Sequence, residues 1–377
     1  MSLFVVIAAL LLLAYTYVGY PIVIGALARL SPLRLPERAI PSDDALPTIT
    51  VCLPVFNGAS MLDAKLQSLL GQDYPPAKLD IIVYCDGCSD DSEAVARRIA
   101  AEPRAGGRIT VEASADRLGK PTAINRVREL ARGELLLLND VRQPLSKNAA
   151  RALAAPFRHP EMGCTTGNLV LAGGAGSGVY WRYENWIRRQ ESRFRSVVGM
   201  SGSIAMVRRA DLPLLPAEVI LDDVWIPMKL RLQDRRILFV TEAEAYDAAF
   251  DDDKEFRRKV RTLAGNYQLC ALMPALLSPL HNPAWFETVS HKIMRLVAPW
   301  LMLVLAVGSL AAACATSGAL SAALVLLCVA QGGFYAAALV GQRGGRLAGV
   351  ARTFVVLNAA AVVGLWRFVS GRQRITW

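Results

Sequence analysis

The chain has 377 residues, 53% of them hydrophobic, but the apolar excess sits at the two ends and leaves a middle of ordinary charge density. This argues against a string of soluble domains and for one domain between membrane segments. The net charge of +10, carried mostly by arginine, suits an anionic membrane face or a phosphorylated ligand. The interleaved aromatic and basic motifs of nucleic-acid binders are missing, so no nucleic-acid partner is expected.

The first element runs from Leu3 to Leu27 without a charged side chain, a length of about 25 residues that crosses ~30 Å of hydrocarbon with some tilt. A cleaved leader ending at Ala26-Leu27-Ala28 is disfavoured, because the run is too long and no basic residue precedes it. Residues 1–28 are therefore expected to be a transmembrane helix. Arg29, Arg34 and Arg38 follow it, and the positive-inside rule places them, and the domain they introduce, in the cytoplasm.

From about 45 to 280 strand-like and helix-like segments alternate. "TITVCLPV" predicts a strand, residues 60–71 a helix, "LDIIVYC" a strand, and Ser92 to about Ala101 a helix. "RITVEA", a helix near 121–132 and "ELLLLND" continue the pattern. Repeated βα units with continuously apolar strands predict a parallel sheet covered on both faces, a doubly wound α/β domain. In such sheets ligands bind beyond the carboxyl ends of the strands, where Asn57, Asp86 and Asp140 all stand. Asp90 with Glu93, and Ser89 with Ser92, read as helix caps. Asp86 lies on the strand end itself, where a carboxylate can accept hydrogen bonds from a base or ribose. Gly119-Lys120 lacks the further glycines of a Walker motif.

The stretch 178–195 predicts a helix with Tyr180, Tyr183, Trp186 and Ile187 at turn spacing; it is mostly core, and Trp181 or Trp186 is a candidate to stack on an acceptor. Cys85 and Cys88 have C-x-x-C spacing, but no second pair completes a zinc site, and structural disulfides are not expected among the seven cysteines. None of the three histidines lies near another candidate ligand in the sequence. Residues 281–377 hold three apolar segments, roughly 295–315, 320–341 and 350–369, preceded by "LCALMPALLSPLHNPAWF", which suits the membrane surface. Arg343, Arg346 and Arg352 between the last two should face the cytoplasm. Three crossings would then put Arg367, Arg372 and Arg374 outside, against the same rule.

"LPVFNG", "VYCDGCSDDS", "RLGKPTAIN", the strand-end Asp140, "GMSGSIAMVRR", "LDDVWIPMKL" and "RRKVRTLAG" occur in this order. The arrangement resembles family 2 glycosyltransferases, the inverting GT-A enzymes that include cellulose, chitin and hyaluronan synthases, and the flanking spans match the membrane-bound branch. The resemblance covers about residues 45–280. It implies a Rossmann-like GT-A domain in the cytoplasm, flanked by transmembrane helices of the inner (plasma) membrane. It also implies a nucleotide-sugar donor, a glycan or lipid-linked acceptor, and a divalent cation, Mg2+ or Mn2+, at Asp140. Asp86 would contact the base, the segment with Gly119, Lys120 and Asn125 would lie by the nucleotide, and Asp223 would be the general base. Asn57, Gly202, Arg258 and Arg261 complete the expected substrate contacts.

Three positions depart from the pattern. Arg142 stands where the last acid of the metal motif would be, Arg258 replaces a glutamine and Thr262 a tryptophan, while Arg261 and Gly265 keep the register. Losing that tryptophan makes a single transfer easier to defend than processive polymerisation. Sugar transfer to a hydroxyl passes through an oxocarbenium-like state, expels a diphosphate and needs a base. Asp223 can take the proton, with Asp222 raising its pKa. A cation at Asp140 with Arg258 and Arg261 can neutralise the leaving group, and Arg142 would add charge if the strand continued past Asp140. Envelope or exopolysaccharide synthesis is the expected setting. The alternatives are transfer to a polyprenyl phosphate and an inactive nucleotide-binding scaffold; retention of Asp86, Asp140, Asp223 and Arg261 speaks against the second.

Overall fold

A computed structural model describes residues 3–33, 42–172, 177–248 and 252–373. Arg34, Arg38 and Arg374, invoked above for membrane orientation, lie outside the described residues. Seven strands form one sheet: β1 (Ile49–Val55), β2 (Leu79–Asp86), β3 (Ile109–Ser114), β4 (Leu135–Asn139), β5 (Met162–Ala172), β6 (Ile204–Arg208) and β7 (Arg236–Ala248), in the order 3-2-1-4-6-5-7. The helices between and around them are α1 (Leu3–Ala14), α2 (Tyr20–Leu30), α3 (Ala59–Leu70), α4 (Ser92–Ala100), α5 (Lys120–Leu130), α6 (Ala149–Ala154), α7 (Ser177–Phe194), α8 (Asp222–Leu232) and α9 (Asp252–Leu272). Four follow: α10 (Trp285–Glu287), α11 (Met294–Ala315), α12 (Gly318–Val340) and α13 (Gly345–Val369).

The first half matches the expected parallel pattern, with β3, β2, β1 and β4 all parallel. The second half corrects it. β6 runs antiparallel to both β4 and β5, and β7 returns parallel to β5, so the sheet is mixed. Period-two alternation distributes the core over both faces: Leu135 and Leu137 of β4 pack with α3, α4 and α6, whereas Leu136 and Leu138 pack with α5 and α8. All these side chains are buried, as a sheet covered on both sides requires.

Among the described residues, four helical stretches are long and apolar enough to cross a membrane: Leu3–Leu30, which includes a π-helical turn at Tyr15–Gly19, Trp285–Ala315, Gly318–Val340 and Gly345–Val369. α1 packs on α11, with Val6, Ala9, Leu305 and Ala312 in one buried cluster. α13 packs along α9 of the catalytic domain. The approach is close, since a Cβ on Gly364 would lie 2.9 Å from the backbone nitrogen of Ala264. All seven cysteines are free thiols.

Candidate active site

The carboxyl ends of the parallel strands open into a cleft of about 510 Å³ lined by Phe56, Lys120, Asp140, Arg142, Gly202, Asp222, Asp223, Arg258 and Arg261, among others. Lys120 is its centre. It opens α5 and is almost fully buried, with Nζ 2.7 Å from Asp140 Oδ1, 3.2 Å from Asp222 Oδ2 and 3.3 Å from the Gly202 carbonyl. Burial disfavours its ammonium, but Asp140 and Asp222 outweigh that and hold its pKa above the ordinary lysine value.

The loop before Lys120 is fastened by Asp86. That carboxylate is fully buried and accepts the backbone N–H groups of Leu118 and Gly119, each at 2.8 Å. Gly119 sits at φ +92°, a conformation that side chains rarely adopt and that glycine takes freely. Asp86 therefore lies beneath the cleft instead of opening into it, which revises the expected contact with a base. Asn57 is also held elsewhere, exchanging hydrogen bonds with Ser89. Asn125 grips both backbone groups of Leu215, which fastens α5 to the segment ahead of α8.

Arg142 corrects a further expectation. β4 ends at Asn139 and the chain turns at Val141–Arg142, so the shared strand face with Asp140 does not form. The Arg142 guanidinium instead reaches the buried Asp247 of β7 at 2.8 Å, beside Gln143 on the same carboxylate. Lys65, which is fully buried and went unremarked in the sequence, braces this turn through a 2.6 Å hydrogen bond to the Gln143 carbonyl. Burial pushes its pKa down to about 7.

Asp222 and Asp223 open α8, where the helix dipole favours acids. The Asp223 main-chain carbonyl accepts the Met200 N–H at 2.8 Å, which ties the acid pair to the "GMSGS" loop. Its side chain is different: Oδ1 is buried and has no hydrogen-bond partner among the described residues. Burial, then the neighbouring Asp222 charge, raise the Asp223 pKa to about 6, against the pull of Lys292, Lys120 and Arg261. Arg261 reaches the Ile220 carbonyl at 3.1 Å just upstream of the acid pair, and Arg258 pairs with Glu255 at 3.2 Å while facing the cleft. Gly265 explains its own place in this helix. A Cβ there would lie 2.4 Å from Leu221 Cγ, so only glycine lets α9 close on the segment that carries the acids. We expect Gly265→Ala to cost about 1–3 kcal/mol through overpacking, read as a lower thermal midpoint in detergent.

A second cavity of about 260 Å³ shares a wall with the first, made of Trp181, Arg188, Met200, Asp223, Lys259 and Thr262. Its walls come from Tyr17 of the first apolar stretch, Tyr180, Trp181, Glu184 and Arg188 of α7, Lys259 of α9, His291, Lys292 and Arg295, and Asn358 of α13. Trp181 lines both cavities, whereas Trp186 packs against Gly25 of α2. His291, without a neighbour in the sequence, sits 2.6 Å from Glu191 and 3.2 Å from Glu184, and Tyr20 donates to Glu191 at 2.6 Å. This buried network fastens the first and second apolar stretches to α7. Lys292 is the residue that sequence reasoning missed; its signal was a lysine at the foot of an apolar span.

Residues 50–213 match the family model described as glycosyl transferase family 2. Among curated relatives, an N-acetylglucosaminyltransferase of Rhizobium meliloti (strain 1021) is 31% identical over 181 residues, 45% of this chain and 41% of the relative. Glycosyltransferase AglD of Haloferax volcanii is 31% identical over 123 residues, 32% of this chain and 19% of the relative. The chain thus spans less than half the length of these relatives. A solved mannosyltransferase, PcManGT from Pyrobaculum calidifontis in complex with GDP-Man and Mn2+, superposes with a TM-score of 0.74 at 21% identity, covering 98% of this chain and 99% of that one. The likeness shows that the two share a GT-A fold. Over residues 50–213, somewhat less than half of the chain, the sequence thus matches a family 2 glycosyltransferase domain.

Proposed function

We propose that this glycosyltransferase is a membrane-anchored inverting enzyme that takes a nucleotide-sugar donor in the wider cleft and an acceptor in the second cavity. One observation carries the reading: Asp223, with a buried carboxylate oxygen that has no hydrogen-bond partner among the described residues, stands in the wall that the two cavities share with Trp181, Arg188, Met200, Lys259 and Thr262. A base in that position can take the acceptor's proton as the acceptor oxygen attacks the face of the sugar opposite the departing diphosphate. Lys120, Arg258 and Arg261 stabilise the leaving charge from the other side. Among the described residues no group of three or more His, Cys, Asp or Glu side chains could hold a metal by itself, so a divalent cation here would rest on Asp140 and the donor together. Asp140 gives only Oδ1 to Lys120, and its other oxygen, with the donor's own phosphates, can hold magnesium or manganese. Such an ion would neutralise the diphosphate. The test is to incubate purified protein with several nucleotide sugars and membrane lipid extract and to measure released nucleoside diphosphate; no release with any donor overturns the reading.

Arg261→Ala is expected to weaken binding of the nucleoside diphosphate by roughly tenfold and binding of the free nucleoside little, since the guanidinium serves the diphosphate. Calorimetry with both ligands checks this, and equal losses would remove Arg261 from that role.

The close packing of α13 on α9 supports placing α13 at the membrane surface on the catalytic side. The first apolar stretch, α11 and α12 then cross, and Arg343, Arg346, Arg352, Arg367 and Arg372 all lie on one side, which removes the conflict with the positive-inside rule. A fluorescent-protein fusion at the C-terminus should fold and fluoresce, and an alkaline phosphatase fusion there should be inactive. The reverse pattern would show that α13 crosses.

A further inference from the structure

We infer that the outer face of α7 is a docking surface for anionic phospholipid headgroups, received by Arg182, Arg189 and Arg193 on either side of Trp186. This rests on the reading of the first apolar stretch as a membrane span and is independent of the role given to Asp223.

α7 carries two unlike faces. Trp181, Glu184 and Arg188, three and four residues apart, turn into the second cavity. Arg182, Trp186, Arg189 and Arg193 recur at the same spacing on another face, and all four are exposed. On a solvated helix, acids one turn away would balance such a row of cations. Here the acids of α7 are engaged on its inner side: Glu184 pairs with Arg295 at 2.6 Å and with His291, and Glu191 takes His291 and Tyr20. Arg182, Arg189 and Arg193 form no ion pair among the described residues. Arg189 and Arg193, four residues apart, repel each other, so the face gains from an array of anions outside the chain.

The surroundings decide which anions. α7 runs beside the second half of the first apolar stretch: Tyr183 donates its hydroxyl to the Tyr17 carbonyl at 2.8 Å, Ile187 packs on Tyr20 and Ile24, and the Leu33 N–H donates to the Arg193 carbonyl at 2.8 Å. The outward side of α2 is apolar, with Ile22, Val23, Ala26 and Leu30 exposed, so the basic row begins where a hydrocarbon-facing surface ends. Trp186 packs on Gly25 at that border and is 41% exposed, the position that tryptophan takes between tails and headgroups. At the other end of α7, Arg195 reaches the Pro283 carbonyl at 3.5 Å, and the loop it touches exposes Leu277 and Leu280. Apolar side chains flanking a row of arginines match a leaflet in both its tails and its phosphates. An acidic soluble partner would match the charges alone.

The test uses the full chain reconstituted in phosphatidylcholine bilayers with a trace of either spin-labelled phosphatidylglycerol or spin-labelled phosphatidylcholine. Electron paramagnetic resonance separates lipid held against the protein from free lipid. An arginine near an anionic surface is worth about fivefold in local association, diluted here over all the lipid around the spans. We expect phosphatidylglycerol to be held about twofold over phosphatidylcholine, and the triple variant Arg182→Gln, Arg189→Gln, Arg193→Gln to lose at least about half of that preference. Rising salt should shrink the wild-type preference. The substituted side chains are exposed, so the thermal midpoint in detergent should stay unchanged. A second triple variant, Arg97→Gln, Arg98→Gln, Arg104→Gln, removes the same charge beside the β3 edge of the sheet, opposite the β7 edge on which α7 packs, and should keep the preference. A preference lost only in the α7 variant supports the inference. Equal retention of both lipids by the wild type, a preference unaltered in the α7 variant, or an equal loss in the second variant overturns it. If neither lipid is held at all, the anchoring reading itself falls and the inference with it.

Discussion

Asp223→Asn is expected to reduce turnover by about 10³-fold while donor affinity stays within a factor of about two, because the amide keeps the shape of the side chain but cannot accept a proton. The variant should fold. The bond that holds this segment is made by the Asp223 main-chain carbonyl to Met200, and the side-chain oxygen Oδ1 has no partner to lose. The pH profile supplies a second reading. With its pKa raised to about 6 by burial and by Asp222, the base is ionised above that value and protonated below it. Transfer to a hydroxyl acceptor should therefore fall as pH drops through about 6 and stay level above it, and the residual rate of Asp223→Asn should lose this step. Released nucleoside diphosphate between pH 5 and 8 measures both. A wild-type rate in the variant removes Asp223 from the mechanism.

The second large effect is expected at Lys120. Methionine keeps the length of the side chain and removes the charge that bridges Asp140 and Asp222. Two consequences follow from that one loss. Stabilisation of the leaving diphosphate weakens, with a fall in turnover of about 10²–10³-fold, the usual size for removing one preorganised charge or donor at developing charge. The acid pair also loses a cation that now favours its ionised form, so the pH at which Asp223 gives up its proton should move upward in Lys120→Met. Arginine at 120 should restore part of the turnover but less of the geometry, since a planar fork cannot occupy the same point between two carboxylates and a carbonyl. A Lys120→Met enzyme with unaltered turnover and pH profile would show that the bridge plays no part in transfer.

Much of this site was legible from local pattern. Strands of continuous apolar residues ending in Asn57, Asp86 and Asn139-Asp140 announced a buried sheet with chemistry at one edge, because burial on both faces and a polar stop are properties of adjacent residues. The acid pair at Asp222 and Asp223, the basic run of α9 and the apolar terminal helices were likewise local.

What each group faces was decided by long-range packing. No sequence spacing announces that β6 runs against β4, since an antiparallel and a parallel strand have the same period. Lys120 meets Asp222 and His291 meets Glu191 only because the sheet and α7 bring segments about a hundred residues apart into contact. Asp86 turned inward and Arg142 turned aside to Asp247 for the same kind of reason: a buried carboxylate binds whatever donor the fold places beside it, and here those were a loop's N–H groups and a turn's guanidinium. The chain order of residues determined that Asp86 and Asp140 would stand at strand ends and Asp222 and Asp223 at a helix start, and the tertiary structure alone decided which of them kept an oxygen free for chemistry.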